Sequence, residues 1–263
     1  MPVFIDHTGR KIEVDRNPQR IISLVPSQTE LLYDLGLDKE VVGITKFCVH
    51  PKEWFQAKTR IGGTKTAKMD LVHQLQPDLI IANKEENVKE QIEELAKQYP
   101  VWISDVNDLP GAYKMMKQVG KMTGKEIIAD DLIARIKKNF TQLKILNAKL
   151  RTCYLIWKDP YMTVGGDTFI HSMIEIAGFE NTFAQKKRYP EITIDDVMNA
   201  GCEVLLLPSE PFPFKQKHVD ELKSLLPTIK IILVDGEMFS WYGSRMLYAA
   251  AYFKKLKTMI SEK

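Results

Sequence analysis

Short apolar runs alternate with amphipathic stretches along this chain. The apolar runs predict β-strands at residues 20–25, 41–44, 78–82, 101–104, 153–157, 203–207 and 229–234. Between them, helical patterns are predicted to begin near Ser27, Asp70, Thr168, Asp195 and Val219, and one spans 88–98. Strands that alternate with helices are typical of α/β folds with mainly parallel sheets. The pattern therefore predicts an α/β protein.

One long helix is predicted in the middle of the chain. Residues 125–150 contain no Gly or Pro, and apolar side chains recur at helical spacing at Ile128, Leu132, Ile136, Phe140, Leu143 and Leu150. At 1.5 Å per residue such a helix would be roughly 39 Å long. Two interpretations are open, a helix that bridges two lobes and a long surface helix inside one domain.

An internal repeat favours two lobes. Met69-Asp70-Leu71-Val72 lies eight positions before Pro77-Asp78-Leu79-Ile80, and Ile194-Asp195-Asp196-Val197 lies eight before Cys202-Glu203-Val204-Leu205. We therefore predict an N-terminal α/β lobe over residues 1–124, a bridging helix over 125–150 and a C-terminal α/β lobe over 151–263. Asp70 and Asp195 each stand at a helix start, where a carboxylate can cap the helix.

Composition excludes several classes of protein. The chain is 44% hydrophobic and 27% charged, and it has no apolar run of the roughly 18 residues that a membrane span needs. Its net charge of +3 comes from acidic and basic residues mixed along the chain, which argues against nucleic-acid binding. The three cysteines, Cys48, Cys153 and Cys202, form no disulfide framework. The first residues lack a secretion signal, which was removed or never existed.

An ordered set of motifs resembles a known family. It comprises Asp6-His7-Thr8-Gly9-Arg10, residues 20–30 (Arg-Ile-Ile-Ser-Leu-Val-Pro-Ser-Gln-Thr-Glu), Leu35-Gly36-Leu37, Val41-Val42-Gly43, residues 75–81 (Leu-Gln-Pro-Asp-Leu-Ile-Ile) and Gly178-Phe179-Glu180-Asn181. Together they resemble the periplasmic cobalamin, haem and iron-siderophore binding proteins of ABC importers, the helical-backbone metal receptors. The resemblance implies a class III periplasmic binding protein: two Rossmann-like lobes joined by one long rigid helix, with the ligand in the cleft between them.

The same resemblance implies a function. The chain would be the substrate-binding component of an ABC importer, which captures cobalamin or a related metal chelate and delivers it to a permease in the inner membrane. It would be a monomer without catalytic cofactor and not an enzyme. A periplasmic or membrane-anchored location is expected, while the lack of a signal peptide leaves a cytoplasmic one open. In the family a carboxylate on each lobe docks to permease arginines. The matching residues are Asp70 and Asp195, where the cobalamin-binding relative has glutamates.

Ligand contacts are expected in loops after the carboxyl ends of the strands, where open α/β sheets bind their ligands. In the first lobe the candidates are Pro26, Ser27, Phe47, Cys48, His50, Thr64, Asn83 and Lys84. In the second they are Trp157, Lys158, Tyr161, Glu237, Phe239, Trp241, Tyr242 and Arg245, with Ser209 and Glu210 nearby. The aromatic faces suit a macrocycle, and Lys158 or Arg245 could meet a carboxylate or phosphate on the ligand.

The resemblance leaves the chelate open. Phe47 and Trp157 match pocket aromatics of the cobalamin-binding relative, but Thr64 and Asn83 replace tryptophans and Trp241 replaces an arginine. Cobalamin is the leading choice, beside another corrinoid, a haem-like tetrapyrrole and a ferric siderophore.

Two features could indicate other chemistry. Cys48 and His50 stand two positions apart, so they could bind a metal or form a nucleophile and its base, and His50 could be an axial ligand to a chelated metal. The alternative function is a cytoplasmic tetrapyrrole-handling protein or chelatase with a similar cleft. Gly165-Gly166 precedes a predicted helix without the spacing of a phosphate loop, and we interpret it as a turn followed by a cap.

Overall fold

The computed structural model describes residues 2–15, 17–143 and 149–261. Contacts within the chain divide it into two compact units. The first contains the residues up to 106 together with 110–135 and 242–245, and the second contains 107–109, 136–241 and the residues from 246 onward.

The first unit is built on a parallel sheet. Its elements up to residue 122 are β1 (Val3–Ile5), β2 (Lys11–Glu13), β3 (Ile21–Ser23), α1 (Pro26–Asp34), β4 (Val41–Ile44), α2 (Lys52–Ala57), β5 (Thr59–Arg60), α3 (Met69–Leu75), β6 (Leu79–Asn83), α4 (Lys89–Ala96), β7 (Val101–Ser104) and α5 (Leu109–Met122). Within the described residues, β5-β4-β3-β6-β7 form a sheet in that order, and each neighbouring pair is parallel. β3 and β6 are buried along their whole length, as expected for strands covered on both faces.

The central helix is shorter than predicted. α6 spans Glu126–Thr141, 16 residues, which corresponds to roughly 24 Å. The chain passes from the first unit to the second within this helix, after residue 135. Residues 144–148 of the predicted 125–150 helix lie outside the described residues.

Leu150 corrects the predicted carboxyl end of that helix, because it begins a strand. It pairs in register with Phe179 on the neighbouring strand. The apolar spacing of Leu150 fits both a helix and a strand, and pairing with a distant segment decides between them.

The second unit contains a second parallel sheet. Its elements are β8 (Leu150–Tyr154), α7 (Phe169–Ile176), β9 (Phe179–Asn181), α8 (Ile194–Asn199), β10 (Val204–Pro208), α9 (Gln216–Leu225), β11 (Lys230–Val234), α10 (Glu237–Ser240) and α11 (Met246–Ser261). Among the described residues the strand order is β11-β10-β8-β9, with parallel pairing throughout. The predicted α/β class with parallel sheets is thus confirmed, although β8 begins three residues before the predicted strand at 153.

Gly165 and Gly166 allow two loops of the second unit to approach closely. A Cβ atom would lie 2.4 Å from the carbonyl oxygen of Lys186 at the first position and 2.2 Å from that of Ala184 at the second. Thr168 then caps α7, because its hydroxyl accepts a hydrogen bond from the backbone N–H of His171 at 3.2 Å. The prediction of a turn followed by a cap is confirmed.

No helix in the described parts of the chain is both long and apolar enough to span a membrane.

A buried aspartate closes the β1–β2 hairpin. The carboxylate of Asp6 accepts hydrogen bonds from the backbone N–H groups of Thr8 and Arg10, from the Thr8 hydroxyl and from Arg10 Nε, at 2.8 to 3.0 Å. Burial raises the pKa of Asp6, but the donors outweigh it and hold that pKa below its usual value.

Replacing Asp6 with Asn should destabilise the protein by about 1–3 kcal/mol at neutral pH, because a charge-assisted network is lost. The folded pKa lies below the unfolded value of 3.8, so the contribution exists at higher pH and disappears as the pH falls through the folded pKa. Urea unfolding at a series of pH values from neutral to acidic should show that the difference in unfolding free energy between D6N and the wild type decreases as the pH falls. The exposed Asp15→Asn variant is the control, and equal effects of both substitutions would contradict this assignment.

Candidate functional site

Parallel pairing brings the carboxyl ends of the strands to one edge of each sheet. In the first unit the predicted residues from Pro26 to Lys84 lie at the carboxyl ends of β3, β4, β5 and β6 or in the segments that follow these strands. Each unit therefore presents a group of loops at the position where α/β sheets bind ligands.

A buried polar network fixes these loops in the first unit. The Asn83 amide donates to the carbonyl and the hydroxyl of Ser104, both at 3.1 Å, and its oxygen accepts from the backbone N–H groups of Glu85 and Glu86. Gln28 donates to the same hydroxyl at 2.5 Å. The hydrogen bonds of Asn83 thus stay within its own unit, so this predicted ligand contact orders the loop.

Cys48 and His50 are in different surroundings. The Cys48 thiol is fully buried and lies 3.1 Å from the Thr29 hydroxyl and 3.2 Å from that of Thr45. Burial raises the pKa of this thiol, which keeps it protonated at neutral pH. His50 is half-buried near Glu30. A buried, protonated thiol argues against a nucleophile formed by Cys48 and His50. The described residues hold no cluster of three or more metal-ligating His, Cys, Asp or Glu side chains.

Phe47 is the most exposed of the candidate aromatic side chains, with half of its surface accessible. The ammonium group of Lys46 lies 5.0 Å from its ring centroid. Thr64 is half-buried, and its carbonyl accepts from the Asn87 amide at 3.0 Å. Lys84 is exposed and forms an ion pair with Asp105 at 2.6 Å.

Arg245 forms a two-point ion pair with Glu30. Arg245 Nε and Nη2 lie 2.8 and 2.7 Å from the two carboxylate oxygens, and the side chains are only 11% and 12% exposed. Burial raises the pKa of Glu30, and Arg245 acts in the opposite direction. Glu30 thus engages two of the five N–H donors of the Arg245 guanidinium, and a contact of Arg245 with a ligand anion stays a prediction.

Three of the predicted ligand contacts form part of the structure of the first unit, namely Pro26, Ser27 and Tyr242. Pro26 is the first residue of α1, and Ser27 and Tyr242 are buried. The backbone at Gly243 approaches α1, because a Cβ at this position would lie 3.3 Å from the Ser27 carbonyl oxygen. Tyr242 was predicted in the second lobe but belongs to the first unit.

An aromatic cluster supports Trp157 at the carboxyl edge of the second sheet. Trp157 is 42% exposed and packs edge-on against Phe212, with centroids 5.6 Å apart. Phe212 in turn contacts Phe214 and His218, with centroids 4.7 and 5.3 Å away. The Trp157 ring is therefore held by aromatic neighbours while much of its surface faces solvent.

Lys158 beside this ring is also paired. Its ammonium forms an ion pair with Glu221 at 2.5 Å, and a contact of Lys158 with the ligand stays a prediction. Tyr161 is half-buried nearby, and burial raises the pKa of its hydroxyl.

Glu210 organises the segment that contains Glu237 and Trp241. Its carboxylate accepts from the Ser240 hydroxyl and from Trp241 Nε1, both at 2.7 Å. Burial raises the pKa of Glu210, and the two donors act against this shift. Phe239 is fully buried against Tyr154 and Phe253, so the structure places this predicted contact in the core. Glu237 is half-buried at the start of α10.

Asp70 and Asp195 occupy the same position in their helices. Each is the second residue, of α3 and α8 respectively, and each is exposed. The N-cap of α8 is Thr193, which forms a capping box with Asp196, and α3 has no side-chain cap. Within the described residues neither the Asp70 nor the Asp195 carboxylate has a hydrogen-bond or ion-pair partner, so capping by a side-chain hydrogen bond is wrong for both. Each carboxylate does lie in the first turn of its helix, where it complements the helix dipole.

Sequence reasoning did not identify Glu30 and Phe212 as parts of these surfaces. Glu30 is the last residue of a motif already recognised, but its partner is 215 positions away. Phe212 follows β10 by four residues, so its position after a strand end was the available signal.

The Glu30–Arg245 pair leads to a stability prediction. Arg245→Met should cost about 3–5 kcal/mol at pH 7, because it leaves a buried carboxylate without its counter-charge. The pKa of Glu30 is already raised, so proton uptake should relieve the loss as the pH falls toward that pKa. Urea unfolding at pH 7 and over a series of acidic pH values measures this. The control is Arg135→Met, which removes only an exposed pair with Asp131 at 3.5 Å, and equal losses in both variants would contradict the assignment.

Comparison with known proteins identifies the family. An ABC transporter substrate-binding lipoprotein of Bacillus subtilis strain 168, YvrC, is 27% identical over 218 residues, which cover 78% of this chain and 68% of the relative. The vitamin B12-binding protein of Vibrio campbellii is 28% identical over 197 residues, 71% of this chain and 70% of the relative. The crystal structure of the petrobactin-binding protein YclQ of Bacillus subtilis superposes with a TM-score of 0.82 at 17% identity, covering 100% of this chain and 99% of that one, which shows a shared fold. Residues 21–223 match the sequence model of the family described as periplasmic binding protein, and the chain belongs to that family.

Proposed function

We propose that this chain is the substrate-binding component of an ABC importer and that it captures cobalamin or a related metal chelate. The observation that carries the proposal is a pair of exposed aromatic faces, Phe47 and Trp157, at the carboxyl edges of the two sheets in a chain of this family. The relatives named for vitamin B12 and for ABC transport support it.

Exposed aromatic rings at fixed positions suit a flat, partly apolar ligand. A macrocycle that covers such a ring removes apolar surface from water, and a stacked pair adds about 0.5–1.5 kcal/mol. Phe212 supports the Trp157 ring, so little side-chain freedom is lost when a ligand covers it. This pre-organisation favours capture of a rigid chelate.

Of the cations near the predicted contacts, Arg245 and Lys158 have internal carboxylate partners, Glu30 and Glu221. The exposed ammonium of Lys46 lies 5.0 Å from the Phe47 ring and could meet an anionic group on a ligand. Cobalamin remains the leading choice because relatives are named for vitamin B12. His50, half-buried in the same unit as Phe47, is proposed as an axial ligand to the chelated metal.

The chemistry of the described residues favours binding over catalysis. The buried Cys48 thiol stays protonated, and no observation favours the chelatase alternative. We propose a monomeric protein that acts outside the cytoplasmic membrane with an inner-membrane permease as partner. A relative named as an ABC transporter substrate-binding lipoprotein supports the transport role.

Asp70 and Asp195 are the proposed contacts to the permease. Both carboxylates are exposed at the second position of a helix and are unused by the described residues of the chain. Two anionic contacts at equivalent points suit two arginine partners, because a guanidinium binds a carboxylate through two hydrogen bonds.

A fluorescence titration tests capture. Cyanocobalamin, haemin and a ferric hydroxamate should each be titrated into the protein, and cyanocobalamin is expected to quench tryptophan emission with the lowest Kd. Trp157→Ala and Phe47→Ala should each weaken binding by about 10-fold or more, since a stacked ring and its buried area are lost. His50→Ala should remove any shift of the cobalt absorption bands.

The control for this titration is Tyr248→Ala, an exposed aromatic on α11 that is not among the predicted ligand contacts. Absence of binding by all three chelates would contradict capture, and an equal loss in the control would contradict the assigned residues.

An uptake assay tests docking separately. Asp70→Ala and Asp195→Ala should leave the Kd for cyanocobalamin unchanged and reduce uptake by cells that carry the variant as their only copy, with the double variant lowest. Each exposed carboxylate is expected to contribute through a charge-assisted contact that exists only with the permease. Glu90→Ala is the matched control, because it removes an exposed carboxylate at the second position of a different helix, α4. Normal uptake by the double variant would exclude the docking role.

A further inference from the structure

The same arginine contact occurs at the end of the acid-bearing helix in both units. Arg20 stands just before β3, and its Nε donates to the carbonyl oxygens of Leu75 and Gln76 at 2.7 and 3.2 Å, at the carboxyl end of α3. Arg151 lies at the start of β8, and its Nη2 donates to the carbonyl oxygen of Ala200 at 2.6 Å, at the carboxyl end of α8. Each guanidinium satisfies helix-end carbonyl groups that have no partner within the helix.

The backbone of each arginine is fixed by the acidic residue that follows the helix. Asp78 accepts from the N–H groups of Gln19 and Arg20 at 2.7 and 2.8 Å, and its own N–H donates to the Arg20 carbonyl at 3.0 Å. In the second unit Glu203 accepts from the Arg151 N–H at 2.8 Å and donates its N–H to the Arg151 carbonyl, also at 2.8 Å. The arginine is therefore held at both its backbone and its side chain.

The helix ends also correspond residue by residue. Gln76 and Gly201, which follow α3 and α8 and are 125 positions apart, both have positive φ, +43° and +60°. Asp78 and Glu203 are separated by the same 125 positions, as are Asp70 and Asp195. The guanidinium of Arg151 lies over Gly201, where an added Cβ would be 3.5 Å from its Nε. The arginine contact at the helix end therefore occurs in both copies of the repeat that contains Asp70 and Asp195.

Short helices depend on such external contacts. α3 has seven residues and α8 has six, so most of their backbone groups lie in a first or last turn. Their direction is set by what holds their ends and by one buried side chain on each, Val72 and Val197. An arginine at the carboxyl end also complements the helix dipole.

We propose that Arg20 and Arg151 are positioning residues for partner docking: they hold α3 and α8 so that Asp70 and Asp195 meet arginines of the permease in fixed directions. The inference rests on the docking part of the proposed function. It also predicts an asymmetry. α8 has a side-chain capping box at its amino end, whereas α3 has none, so loss of Arg20 should matter more than loss of Arg151.

The test measures the concentration of binding protein that half-saturates stimulation of ATP hydrolysis by the reconstituted permease, with cyanocobalamin present. Arg20→Ala should raise this concentration about two- to fivefold, and Arg151→Ala less, with unchanged maximal rate and unchanged cyanocobalamin Kd. Arg20→Lys should recover part of the loss. The control is Arg135→Ala, an exposed arginine on α6 that contacts no helix end of α3 or α8.

A double-mutant cycle separates positioning from general stability. If Arg20 acts through Asp70, Arg20→Ala should have no further effect in an Asp70→Ala background, whereas a purely structural role would give additive losses. Should Arg20→Ala fold poorly, Arg20→Lys and Arg20→Met take its place in the same cycle, with thermal unfolding measured alongside.

Distinct outcomes separate this inference from the proposed function. Unchanged half-saturation in the arginine variants, while Asp70→Ala and Asp195→Ala raise it, would overturn the positioning role and leave docking intact. Unchanged half-saturation in the aspartate variants would overturn docking and this inference together. Failure of the wild type to bind cyanocobalamin in the same preparations would count against capture of that chelate.

Discussion

Parallel pairing of buried strands is the constraint on which the rest of each unit depends. β3 lies between β4 and β6, and β8 lies between β9 and β10, with all of these pairs parallel. Parallel neighbours place every carboxyl end at one edge, so the loops with Phe47 and Trp157 are brought to the edges where ligands can bind. Because the strands are parallel, α3 and α8 run back toward the amino edge of their sheets. There Arg20 and Arg151 donate hydrogen bonds to the carboxyl ends of the two helices.

The polar groups near these edges are of two kinds: some are buried and order the loops, and others are exposed. Asn83, Cys48 and Glu210 are engaged by neighbours in their own unit, and they order the loops that surround them. Arg245 and Lys158 are neutralised by internal carboxylates. Each unit also exposes an aromatic ring, Phe47 or Trp157, and an aspartate on a short helix whose carboxylate has no partner among the described residues. Buried pairs give these surfaces a defined shape, while the exposed groups are available to ligand and partner.

The local pattern of apolar and polar residues predicted elements whose residues favour one secondary structure. It failed where contacts with residues far along the chain determine the structure. The strands at 41–44 and 101–104 have the predicted bounds. Leu150 fitted the helical spacing but pairs with Phe179, and Phe239 followed a strand like a ligand contact but is buried against Tyr154. The Glu30–Arg245 pair joins residues 215 positions apart, so no local pattern could reveal it. The repeat in sequence located Asp70 and Asp195, but only the structure showed that neither caps its helix by a side-chain hydrogen bond.

The central proposal is that the chain captures a metal chelate through carboxyl-edge loops. Amide hydrogen exchange of the full chain, with and without saturating cyanocobalamin, tests this most directly, because it reports the location of binding as well as its occurrence. The account predicts slower exchange in residues 45–51 and 157–161, with α3 and α8 unaffected. Protection confined to other segments, or none at saturation, would contradict it.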